Sequence, residues 1–194
     1  MVDVPRIVRN KAEAVGASRW LDELPVLLRS LEEEWSIRVG EPYVDGTEAY
    51  VARATTDVGE RVVIKLLIPR AGDAAAREID VLRHADGDGC VALLRDDAAR
   101  SALLLEELGP SMFRLGVPFA ERLRILSDTA ARLWRPAPDL DLPTGAEKAV
   151  WLSDHIATIW EEINRPCPER VVQHALGCAE RRSAAHDDER ARLV

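Results

Sequence analysis

The stretch GERVVIKLLIP, Gly59 to Pro69, constrains the fold more than any other. Val62, Val63, Ile64, Leu66, Leu67 and Ile68 read as a strand, with a lysine, Lys65, at its centre. An ammonium held among apolar side chains is costly unless a negative group meets it. Two arrangements satisfy that requirement. Either the strand lies at a sheet edge and Lys65 extends its charge to water, or a carboxylate from a later element folds back onto it. The neighbouring elements decide which groups can reach it.

Upstream, Leu21, Leu24, Leu27, Leu28, Leu31 and Trp35 recur at steps of three and four, which predicts a helix with Ser18 as its N-cap. Residues 1–17 before it read as a loose arm. Two strands follow, IRVGEPYV and AYVARATT, joined by the turn signal DGTE. With the Lys65 strand they make an antiparallel meander. The period then changes, and AAAREIDVLRHA reads as a helix ended by DGDG. CVALLRD and SALLLEE are two further strands. Beyond Gly109 the pattern is helical: PFAERLRILSDTAARLWR, then EKAVWLSDHIATIWEEI, then PERVVQHALGCAERRSAA with an expected break near Gly177. The closing ERARLV reads as the start of a strand, and its unpaired edge as a place for self-association.

Bulk properties remove some classes of function. The chain has 194 residues, 47% of them hydrophobic, and a formal net charge of −8. That balance disfavours a main role in gripping nucleic acid or an anionic membrane and suits a cationic small-molecule partner. Cys90, Cys167 and Cys178 have neither disulfide-framework nor zinc spacing, so a reducing cytoplasm is expected, with Cys90 a small core residue. The first residues have no apolar signal-peptide core, and no run approaches the ~20 apolar residues of a membrane span. Glu32, Glu33 and Glu34 point in different directions on a helix and read as a solvated face rather than a metal site. HAD at His84–Asp86 is only superficially similar to an HxD motif and lies between the helix and the fourth strand. HDD at His186–Asp188 lies one element early and reads as a helix end or turn, and His155 and His174 are isolated on helical segments.

Glu78 is the carboxylate best placed to meet Lys65. It lies thirteen residues on, in a helix that a loop can bring back over the sheet. A Lys–Glu pair there holds the ammonium ready for the α- and β-phosphates of a nucleotide. LLLEELG, Leu103 to Gly109, is a strand running into two acids and a glycine. As a connector it offers backbone C=O and N–H groups at Glu106 and Leu108 to an adenine. It is also what an ordinary strand end looks like. The DGTE turn stands where a phosphate-covering loop belongs and offers Gly46, the hydroxyl of Thr47 and main-chain N–H groups. It has neither a GxGxxG nor a Walker A pattern.

The segments WLDELPVLLRSLEEEWSI, VGEPYVDGTEAYVA, VVIKLLIP, EIDVLRHADGDGCVALL, SALLLEELGP and WRPAPDLDLP together resemble the aminoglycoside phosphotransferase superfamily. The likeness is to its streptomycin 6-kinase and hydroxyurea phosphotransferase branch. It covers most of residues 18–143 and, more weakly, the helices to 194. It implies an α+β, protein-kinase-like fold, with a five-stranded antiparallel N-terminal lobe and the first helices of a mainly helical C-terminal lobe. The implied division is a flexible arm over 1–17, an ATP-binding lobe over 18–106, and a hinge with an incomplete helical lobe over 107–194. The implied chemistry is transfer of the γ-phosphoryl of ATP, with Mg²⁺, to a hydroxyl of an antibiotic such as streptomycin. Carried over by residue, Lys65 resembles the phosphate-binding lysine, Glu78 its partner and Glu106–Leu108 the adenine hinge.

The family's catalytic loop, HGDxHxxN, and its later metal-binding IDP-like motif are absent from these 194 residues. No catalytic or metal-binding residue is therefore assigned. The resemblance places that loop directly after a strand such as ARLV, so the expectation is the N-terminal part of such a kinase, cut before its catalytic loop. Two other readings stay open: an inactive remnant that binds nucleotide or a protein, and a kinase of the same fold acting on a sugar or metabolite.

Overall fold

The computed structural model describes residues 2–70, 72 and 74–193. They fall into two compact units, Met1–Leu133 and Trp134–Val194. The first holds helix α1 (Arg6–Ala14), α2 (Ser18–Trp35), strands β1 (Ile37–Pro42), β2 (Ala49–Thr56) and β3 (Arg61–Leu67), α3 (Ala74–Ala85), β4 (Leu93–Asp97), β5 (Ala102–Glu106) and α4 (Phe119–Leu133). The second holds α5 (Gly145–Glu162) and α6 (Glu169–Ala184). This is an α+β chain built around one five-stranded sheet of order β1-β2-β3-β5-β4, antiparallel at every pairing.

The apolar run of β3 follows from its place in that sheet. It pairs with β2 on one side and β5 on the other, and Lys65 stands opposite Val51 and Leu103. Successive side chains of a strand point to opposite faces. Val62, Ile64 and Leu66, with Tyr50, Ala52, Ala54, Ala102 and Leu104, form a core with α1 and α2. On the other face Val63, Leu103 and Leu105 meet Ile79 and Leu82 of α3, with Val51, Leu67 and the half-buried Cys90 beside them. A strand covered on both faces has no reason to alternate apolar with polar.

Within residues 1–17, where a flexible arm is expected, the structure has a helix. Residues 6–14 form α1, whose Val8 and Ala12 are fully buried, one helical turn apart on the face that meets the core. Pro5 precedes the helix with φ −53° and its carbonyl accepts the Arg9 N–H at 3.0 Å. Proline fixes φ in a helix-compatible range and lacks only an N–H that a helix start leaves unbonded. Ser18 is likewise not a cap. It is the first residue of α2, behind Ala17, whose N–H donates to the Ala12 carbonyl at 2.7 Å. Helix α2 buries Trp20, Leu24, Leu28, Leu31 and Trp35. It ends at Ser36 with φ 53°, a left-handed residue that turns the chain into β1.

In the second unit α5 opens on a capping box. The Thr144 hydroxyl accepts the Glu147 N–H at 3.1 Å, and the Glu147 carboxylate accepts the Thr144 N–H at 2.7 Å. Helix α6 packs on α5 and runs through Gly177 without the expected break. The strand expected at ERARLV is not formed among the described residues. Asp188–Arg190 is a 3-10 turn, and Leu193 is buried with its N–H donating to the Arg135 carbonyl at 2.9 Å. Leu193 is thus held to the chain at Arg135, while Ala191 and Arg192 are exposed. No helix among the described residues is long and apolar enough to cross a membrane.

Candidate functional site

Lys65 lies on a central strand, so the edge-strand arrangement is excluded. The partner is Glu78. The Lys65 Nζ donates to Glu78 Oε1 at 2.5 Å, across the thirteen residues that separate β3 from α3. Helix α3 is fixed by Ala75, Ile79, Leu82 and Ala85, which are buried. Glu78 sits next to Ile79, at the margin of that buried face, and so reaches Lys65 while staying partly open. The two side chains retain 26% and 31% of their exposure. An ammonium has three N–H donors, so one carboxylate does not use up its capacity for anions.

The loop 43–48 between β1 and β2 is closed at both ends. The Tyr43 N–H donates to the Val51 carbonyl at 2.8 Å, and the Glu48 carbonyl accepts the Ile68 N–H at 3.2 Å. The Glu48 carboxylate pairs with Lys11 at 3.2 Å and also with Arg70. This ties the loop to α1 and to the end of the Lys65 strand. Thr47 is exposed in this loop and is not hydrogen-bonded to Lys65 or Glu78.

At the end of β5, Glu106 makes two bonds to one residue. Its N–H donates to the Ala92 carbonyl at 3.1 Å and its carboxylate accepts the Ala92 N–H at 2.8 Å. Leu108 is 63% exposed. Between them lies Glu107, whose side chain is only 11% exposed and pairs with Arg53 of β2 at 3.5 Å and Arg61 of β3 at 3.0 Å. The Arg53 guanidinium also lies over the Tyr43 ring, 4.7 Å from its centroid. Sequence reasoning missed Glu107. Its partners come from two other strands, and no local spacing announces them.

DGDG after α3 has a packing role. Gly89 has φ +83°, and a Cβ there would fall 2.9 Å from the Thr129 carbonyl oxygen, 3.0 Å from Arg132 Cβ and 3.1 Å from Leu133 Cγ, all on α4. Only a glycine fits both the left-handed conformation and the contact. The acidic run of α2 is only partly a solvated face. Glu32 accepts the Val39 N–H at 2.7 Å, and Glu34 takes two bonds from Arg100 at 2.7 and 2.5 Å. Those bonds, with one from Ser30, hold the Glu34 carboxyl down to about 2. His155 stacks on Trp151 with ring centroids 4.9 Å apart. Among the described residues no group of three or more His, Cys, Asp or Glu could hold a metal ion.

A family model described as aminoglycoside/hydroxyurea antibiotic resistance kinase matches residues 35–179. The chain belongs to this family. The matched span contains Lys65, Glu78, Thr47 and the Glu106–Leu108 segment, so the whole candidate site lies inside it. The chain is 32% identical over 143 residues to streptomycin 6-kinase of Streptomyces glaucescens, covering 71% of this chain and 46% of that protein. It is 33% identical over 111 residues to hydroxyurea phosphotransferase of Kitasatospora aureofaciens, covering 56% of this chain and 32% of that one. The chain thus spans less than half the length of these curated relatives. Among solved structures, a streptomycin–ATP–APH(2")-IIa ternary complex aligns with a TM-score of 0.48 at 12% identity, over 79% of this chain and 56% of that one.

Proposed function

We propose that the first unit binds the nucleotide of an ATP-dependent phosphotransferase that modifies a hydroxyl of an antibiotic. The observation that carries this reading is the Lys65–Glu78 pair at 2.5 Å on a central strand, inside the span matched by a kinase family. In this arrangement Lys65 holds the α- and β-phosphates, and Glu78 fixes its ammonium over the sheet. The main chain at Glu106 and Leu108 meets adenine, and Gly46 and Thr47 cover the phosphates with N–H and hydroxyl donors.

Mg²⁺ accompanies ATP in such reactions, but the described residues offer no cluster of ligands for it, and no step is assigned to it in this chain. The acceptor is read from the relatives, named for streptomycin and hydroxyurea. The net charge of −8 favours a cationic aminoglycoside of the streptomycin kind. A cytoplasmic location, where ATP is abundant, is part of this reading.

The test is calorimetric titration with ATP, followed by intact-mass analysis of streptomycin after incubation with ATP and Mg²⁺. ATP binding is expected in the wild type, with a loss of roughly tenfold or more in Lys65→Ala, as for removal of one charged phosphate contact. Equal affinity of wild type and Lys65→Ala would remove the lysine from the site. No ATP binding by a folded wild type would overturn the nucleotide reading altogether. A gain of one phosphoryl mass on streptomycin would extend it to the acceptor.

A further inference from the structure

The two acids of the EELG segment face different partners, and only one of them has a local explanation. Glu106 clasps Ala92 at both its N–H and its carbonyl. Glu107 reaches across to the β2–β3 hairpin, where Arg53 and Arg61 approach its two carboxylate oxygens at 3.5 and 3.0 Å. Its Oε2 is shut off from solvent and makes no hydrogen bond, so the two guanidinium groups hold it by charge alone. By register Arg53 stands opposite Val63, and Thr55 opposite Arg61. Residues 51, 53, 61, 63 and 65 therefore share one face of the sheet, the face that carries Lys65. The Arg53 guanidinium is further confined by its stack on Tyr43.

The main chain from Glu106 to Leu108 is thus fastened at 106 to the segment after DGDG and at 107 to the opposite hairpin, while Leu108 is open. A mostly buried carboxylate between two arginines of different strands has little freedom to swing. Its backbone N–H and C=O lie between the two residues that the nucleotide reading assigns to adenine.

We propose that Glu107, with Arg53 and Arg61, is a positioning residue that sets the hinge backbone for recognition of the purine base. This rests on the nucleotide reading above. It predicts a division of labour: Lys65 acts on the phosphates, and Glu107 acts only on the base. A carboxylate that served fold stability alone would weaken every ligand alike.

The experiment compares affinity for ATP with affinity for inorganic tripolyphosphate, which has the charge and no base. In the wild type ATP is expected to bind the more tightly. In Glu107→Ala that preference is expected to shrink at least about threefold, the order of one partly exposed ion pair, with tripolyphosphate affinity unchanged. Lys65→Ala is expected to weaken both ligands and leave the preference standing. Arg53→Ala and Arg61→Met alter more exposed side chains and keep the test available should Glu107→Ala fail to fold; at least one should also shrink the preference. An unchanged preference in all three variants, or equal weakening of both ligands, would overturn the role of Glu107 and leave the nucleotide reading intact. A wild type that does not distinguish ATP from tripolyphosphate would remove the base-binding hinge itself, and Glu107 with it.

Discussion

At the scale of single residues, the positions that matter most are those that no near relative in size or charge can replace. Gly89 is the sharpest case. An alanine there must take up φ +83° and place its methyl 2.9 Å from a carbonyl oxygen of α4. A backbone atom in a helix cannot swing aside as a side chain can. Gly89→Ala is expected to destabilise the first unit by about 2 kcal/mol or more, adding left-handed strain to overpacking. The midpoint of urea unfolding reads this directly, and an unchanged midpoint would mean that the end of α4 yields freely. Lys65 is the opposite kind of position, one whose partner was legible in advance. A lysine inside an apolar run is satisfied either by water at a sheet edge or by a carboxylate, and the next helix carries Glu78 for the second.

At the scale of elements, the sequence is most readable where periodicity is strong and contacts are local. The AAAREIDVLRHA pattern coincides with α3, because Ile79 and Leu82 mark its buried side and DGDG ends it. The three-strand meander and the β4–β5 pair follow from short apolar runs between turn signals. Helix α1 was hidden for a physical reason. It is nine residues long and buries only Val8 and Ala12, so its apolar stripe is too narrow to stand out. Pro5 and the four-residue step from Val8 to Ala12 were the available signals. The contribution of α1 can be measured: Val8 is fully buried, and Val8→Ala is expected to cost about 1–3 kcal/mol in urea unfolding. No change would mean that the helix is not held to the core. Glu107 was illegible for a different reason. Its pairing depends on strand register, and register is a property of the assembled sheet.

At the scale of the whole first unit, charge ties α2 to the β4–β5 connection. Glu34 takes two bonds from Arg100, which also bonds Asp97, and Arg95 donates to the Trp35 carbonyl at 3.1 Å. The Glu34 carboxyl sits at about 2 in the folded chain against an ordinary 4.5. A depressed carboxylate contributes stability that is complete above the ordinary value and is lost as pH falls through the depressed one. Compared with Glu34→Gln, the wild type should therefore keep a constant advantage above about pH 4.5 and lose it progressively towards pH 2. Unfolding curves across that window decide the point, since an advantage persisting undiminished at pH 2 could not come from this ion pair.

The Gly89 contact also has a mechanical consequence. Gly89 rests against the last turn of α4, and three residues later Ala92 is gripped twice by Glu106. The end of α4 and the end of β5 are thus joined through a backbone segment of only a few residues, which leaves little slack between the helix and the strand.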